Sequence, residues 1–126
     1  MGEFLQKRAD EFFEEVEGLI KKKKYNMAAH HLEQTAQLYL KYAIYRKLGD
    51  FPQIHPLSKL LDELGKAYNK SKLMETFMDE NLMLIKNLEV AYIFGRYMDK
   101  EYTKKEVDIL SELTNNIIKL LKDDFC

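Results

Sequence analysis

Tryptophan is absent, cysteine occurs once, proline twice and glycine five times in 126 residues. The lone cysteine, Cys126, is the last residue, so no disulfide can close within the chain, and packing has to supply the stability; this usage fits a reducing, cytoplasmic compartment. So few prolines and glycines exclude a loop-rich or collagen-like chain. Charge of one sign is also missing: 20 Lys and Arg face 21 Asp and Glu, interspersed along the length, so neither a basic arm nor an acidic tail declares a partner, and DNA specificity is not implied. Apolar runs such as "LMLI" at 82–85 stop far short of the ~20 residues of a membrane span. The opening "MGEFLQKRADEFFEE" is acidic and amphipathic, unlike a signal peptide, so no leader or anchor is expected. Strand-like alternation, internal repeats and low-complexity segments are lacking as well.

What remains is helical periodicity in a chain that is 46% apolar, enough for one domain, 1–126, to bury roughly two thirds of its unfolded surface. Leu5, Ala9, Phe12, Val16 and Leu19 recur in steps of four and three, with Phe4, Phe13 and Ile20 widening the stripe, and predict a first helix over 3–22. Its end, "KKKK" at 21–24, suits the negative pole of a helix dipole. A second helix runs over 25–48 with Gly49 as its stop. Pro56 is placed for the first turn of a short helix carrying Leu57, Leu60, Leu61 and Leu64. Met74, Met78, Asn81, Ile85, Leu88 and Tyr92 predict one further helix, N-capped at Asp79 if it begins late and closed by Gly95. Thr103 and Glu106 have capping-box spacing before Val107, Leu110, Thr114, Ile117 and Leu121. The expected fold is all-α, an antiparallel up-and-down helical bundle of four main helices plus one short helix.

The second helix has two sticky faces. Tyr25, Ala28, Ala29, Leu32, Ala36, Tyr39, Leu40 and Ala43 form a core face. Met27, His31, Thr35, Leu38, Tyr42 and Tyr45 form another stripe, which predicts a seam with a second copy and hence a homodimer. Adjacent His30 and His31 point about 100° apart on a helix and cannot share a metal, so His31 is expected at the seam and His30 in solvent. Neither has a nearby Ser or Cys to activate, and no metal or cofactor is implied. The methionines Met74, Met78, Met83 and Met98 read as core and seam filler. The lysine run reads as a solvated helix end before it reads as a phosphate patch.

"YNMAAHHLEQTAQLYLK" at 25–41, with Gln34, Ala36 and Lys41 in register, "HPLSKLL" from His55, and "AYIFGRY" followed by "YTKKEV" together resemble the HEPN (higher eukaryotes and prokaryotes nucleotide-binding) domain family. The likeness covers essentially the whole chain and implies the same bundle, usually dimeric. In that family many members are metal-independent ribonucleases with an Arg, four to six residues and a His. Others accompany a minimal nucleotidyltransferase in toxin/antitoxin-like pairs. Here none of the three histidines follows Arg96, and the five-residue gap after it ends at Tyr102. A phenol with a pKa near 10 is a poor acid or base at neutral pH. The resemblance therefore implies a non-catalytic nucleotide- or RNA-end-binding module. Arg96 would hold a phosphate, Tyr92, Tyr97 or Tyr102 would stack on a base, Lys100 would add charge, and His55 would reach the ligand or cap the third helix. The alternatives are a weak ribonuclease with a degenerate Arg-x5-Tyr motif, or a purely structural dimerisation module.

Overall fold

The first two periodic segments become helices with ends within one residue of those the pattern predicts. In the computed structural model, which describes residues 2–94 and 101–125, the helices are α1 Phe4–Lys21, α2 Tyr25–Leu48, α3 Leu57–Ala67, α4 Ser71–Glu80, α5 Leu82–Phe94 and α6 Lys104–Asp124. No strand occurs among the described residues. Gly95, Met98 and Cys126 lie outside them.

Three helices stop at a residue in the left-handed region. Gly49, at φ 79°, ends α2 as expected. The other two stops had no glycine to announce them. Lys23 (φ 59°) and Asn69 (φ 56°) follow α1 and α3, and in each case the next residue reaches back with a Schellman bond: Lys24 N–H to the Leu19 carbonyl (2.9 Å) and Lys70 N–H to the Gly65 carbonyl (2.7 Å). Thr103 begins α6 with the full capping box. Its Oγ1 accepts from Glu106 N–H (3.1 Å), and Thr103 N–H donates to Glu106 Oε1 (3.0 Å).

The four-plus-one helix count is corrected to six among the described residues, because the stretch expected as one helix through Met74 and Tyr92 is broken at Asn81. There the backbone leaves helical geometry (φ −122°, ψ 19°), and both the Asn81 N–H and its side-chain Nδ2 donate to the Phe77 carbonyl. An asparagine that bonds its own preceding turn competes with the next turn of helix. Asp79 therefore lies within the last turn of α4 instead of capping a helix, and Pro56 stands one residue before α3. The break lets α4 fold back on α3 while α5 packs on α2. Gly65 makes the α3–α4 approach possible, since a Cβ there would stand 3.0 Å from Met74 Cβ.

α2 is the hub, touched by α1, α3, α5 and α6. Its Ala28, Ala29, Leu32, Ala36 and Leu40 join Leu57, Leu60, Leu61 and Leu64 of α3, Leu88 of α5 and Leu110 of α6 in one cluster, each fully buried leucine contributing roughly 2 kcal/mol. Met74 is in this core and Met78 packs against it, whereas Met83, expected as filler, is 75% exposed.

α1 runs back along α2 and packs against part of the stripe assigned to a second copy. The Tyr39 hydroxyl donates to Asp10, and Phe12 meets His31 edge-on at 5.1 Å. Tyr45 lies so close to Gly2 that a Cβ there would come within 2.5 Å of its ring. Thr35 is 0% exposed within one chain and donates to the His31 carbonyl (2.7 Å), so it is core and not seam. His30, expected in solvent, is buried as well, because α2 has no bare face at that level. His31, Leu38, Tyr42 and Tyr45 remain half-buried and Met27 exposed. Between α1 and α2 an open groove of about 750 Å³ is lined by half-buried Phe12, His31, Gln34 and Leu38 and by exposed Arg8, Glu11, Glu14 and Glu15.

Candidate functional site

A row of polar residues crosses the interior of this apolar hub. Glu33, Gln37 and Lys41 follow one another at four-residue steps on α2 and are 0%, 4% and 6% exposed. Burying two ionisable groups and an amide is costly unless they satisfy one another, and here they do. Gln34 Nε2 donates to Glu33 Oε1 (2.8 Å), Gln37 Nε2 to Glu33 Oε2 (2.9 Å), and Lys41 Nζ to Gln37 Oε1 (3.0 Å). An ammonium only donates, so Lys41 fixes which way the Gln37 amide faces.

Burial pushes the Glu33 carboxyl up to about 7, against the bonds from Gln37 and Gln34 and the charge of Lys41, with Glu89 of α5 adding to the rise. Burial likewise lowers Lys41, opposed by Glu33. The ladder thus holds a carboxyl that exchanges its proton at neutral pH inside a helical core.

The ladder reaches the surface through His55. Its Nδ1 lies 3.3 Å from Gln37 Oε1, an acceptor, so Nδ1 carries the hydrogen and donates. The exposed imidazole is stacked on Tyr92 of α5, ring centroids 5.0 Å apart and planes 16° from parallel. Beside this pair a cavity of about 340 Å³ is lined by His55, Pro56, Glu89, Val90 and Tyr92. Glu89 is held in place by Ser58, whose N–H and Oγ both donate to Glu89 Oε1 (2.8 Å each), tying the first turn of α3 to α5.

Of the residues expected to bind a nucleotide, the fold therefore unites His55 and Tyr92. Tyr102 is not with them, and its expected role as an open stacking face is corrected. It is 3% exposed, and its N–H donates to Asn26 Oδ1 (2.8 Å), while Asn26 Nδ2 donates to Glu101 Oε2 (3.2 Å). Asn26 and Gln37 are about 16 Å apart along α2, at about 1.5 Å per residue. Burial, with Glu106 nearby, pushes the Tyr102 phenol up to about 12, so the ring serves the core where α2 and α6 begin. Arg96, Tyr97 and Lys100 lie outside the described residues.

A family model described as the HEPN domain matches residues 3–124. The chain belongs to the HEPN family. Neither a curated protein nor a solved structure matches it. For this HEPN domain, the ladder of Glu33, Gln37 and Lys41 and the bonded pair Ser58 and Glu89 are the residues that spacing alone did not single out. Polar residues four apart on a helix read as a solvated strip. The available signal was subtler: with apolar stripes already on two faces of the second helix, its third face also had to meet a neighbour. Among the described residues no group of three or more His, Cys, Asp or Glu could hold a metal, and no helix is long and apolar enough to cross a membrane.

Proposed function

We propose that this HEPN domain is a cytoplasmic, homodimeric module that binds a nucleotide or RNA end and acts as the non-catalytic partner of a minimal nucleotidyltransferase in a toxin/antitoxin-like pair. The observation that carries the reading is the His55–Tyr92 stack beside an open cavity, with the imidazole oriented from below by a buried polar ladder. An exposed ring backed by a parallel aromatic is a sequence-tolerant platform for a base. A ring whose tautomer and tilt are set by Gln37 is organised before any ligand arrives. Arg96, four positions beyond Tyr92 in the sequence, is the residue assigned to the phosphate. Met27, His31, Leu38, Tyr42 and Tyr45 are assigned to the dimer seam, now shared with the α1 side of the groove.

Calorimetry at low salt with ATP, GTP and short RNAs tests the binding reading. Saturable binding that weakens on Arg96→Ala and on Tyr92→Ala supports it, and silence with all three ligand types overturns it in favour of a structural dimerisation module. The ribonuclease alternative keeps one favourable observation: with Nδ1 donating to Gln37, His55 Nε2 is left facing away from the ladder as a possible proton acceptor. The burial of Tyr102 weighs against the Arg-x5-Tyr version of it. RNA cleavage in EDTA that is lost in Arg96→Ala or His55→Ala would replace the binding-module reading with the nuclease one.

A further inference from the structure

The cavity beside the stack has a chemistry of its own. Among the described residues its lining is two rings, a proline, a valine and one carboxyl group. These residues recognise a flat apolar body with a polar edge. The exposed face of His55 extends a stack already made with Tyr92. The polar edge must then be read by Glu89.

Glu89 is prepared to do so. Both Ser58 bonds fall on Oε1, and Oε2 accepts no hydrogen bond from the described residues. A carboxylate accepts only, so the open Oε2 fits a ligand edge that presents donors and no acceptor. Of the four common bases, guanine presents N1–H and the N2 amino group side by side. Adenine and cytosine set a ring-nitrogen acceptor beside their amino group, and uracil flanks its one N–H with two carbonyls. An acceptor facing a carboxylate is repelled, so discrimination comes from mismatch as well as match.

We propose that this pocket selects a guanine base, stacked on the outer face of His55 and read along its donor edge by Glu89. The inference rests on the nucleotide-binding reading above and names the base that reading leaves open. Glu89 is the specificity-determining residue, Ser58 holds one of its oxygens, and the Gln37 contact keeps the His55 ring in the plane that a base can share.

The test is calorimetric titration of the full chain with GMP, IMP, AMP, CMP and UMP at low salt. GMP is expected to bind about tenfold or more tightly than AMP, CMP or UMP, with IMP, which keeps N1–H and lacks the N2 amino group, in between. Glu89→Gln retains an oxygen for Ser58 and so preserves the start of α3, checked by far-UV circular dichroism; it is expected to remove most of the GMP advantage and leave AMP affinity unchanged or higher. Equal affinities for GMP and AMP, or an equal loss for all five nucleotides in Glu89→Gln, overturns the guanine assignment and leaves the nucleotide-binding reading standing. Absence of binding by every nucleotide overturns both.

Discussion

Two faces of α2 carry residues at similar spacings and come to opposite ends. The stripe of His31, Thr35, Leu38, Tyr42 and Tyr45 looks apolar and surplus, yet within one chain Thr35 is fully buried and the rest are half-buried. The row of Glu33, Gln37 and Lys41 looks like an ordinary solvated strip, yet it is the more deeply buried of the two. Depth is therefore not set by the polarity of a face alone. It is set by which neighbours the connections bring to that face, and a polar row survives inside only when its members satisfy one another. The stripe spends its residues on packing, while the row places a carboxyl titrating near 7 behind exposed His55 and half-buried Tyr92.

The comparison breaks most sharply at its middle rung. Gln37→Leu removes the donor to Glu33 and the acceptor shared by Lys41 and His55, leaving a buried carboxylate and a buried ammonium without their link. At pH 8 it is expected to cost about 4 kcal/mol in denaturant unfolding, and at pH 5, with Glu33 protonated, distinctly less.

A pH series probes the same row without breaking it. Glu33 ionises near 7 when folded and near 4.5 ordinarily, so between these values the folded chain holds a proton that the unfolded chain has released. Its contribution is most favourable below pH 4.5 and is lost as pH rises through 7, by about 3 kcal/mol at about 1.4 kcal/mol per unit. Glu33→Gln should flatten that decline, which equilibrium unfolding at pH 5 and pH 8 would measure; an unchanged slope would mean that another group carries the titration.

On the stripe, effects should be smaller. Thr35→Val keeps the shape and loses one hydroxyl bond to a main-chain carbonyl, for about 1 kcal/mol. A loss as large as that of Gln37→Leu would erase the distinction between the two faces. Least costly to the fold is the pair Leu38→Glu with Tyr42→Glu, both half-buried. It is expected to leave helicity intact and halve the apparent mass in size-exclusion chromatography coupled to light scattering. A wild-type chain that already elutes as a monomer would remove the seam.

Much of the scaffold was legible because its signals are local. The stripe from Leu5 to Leu19, the Gly49 stop and the Thr103–Glu106 box each depend on residues within a few turns of one another, and each appears where the spacing put it. Asn81 was harder, since an unbroken four-three alternation hides a break made by one side chain bonding its own preceding turn. Lys23 was harder still, because a lysine in the left-handed region contradicts the residue preference that would have marked the stop. Of the candidate site, His55 and Tyr92 were named but not joined, for they are 37 positions apart and meet only after α3 and α4 have folded back.

By itself, then, the order of residues determined the all-helical character, most helix limits and the apolar faces that make a core, since hydrogen bonding and side-chain periodicity along a helix act over four residues. Only the tertiary structure decided that Thr35 of the second stripe is core, that Tyr102 is core, and that Glu33 lies in a medium where its proton is held to neutrality. Burial and electrostatic environment depend on which distant segments come to lie alongside, and the pattern of a single helix does not carry that information.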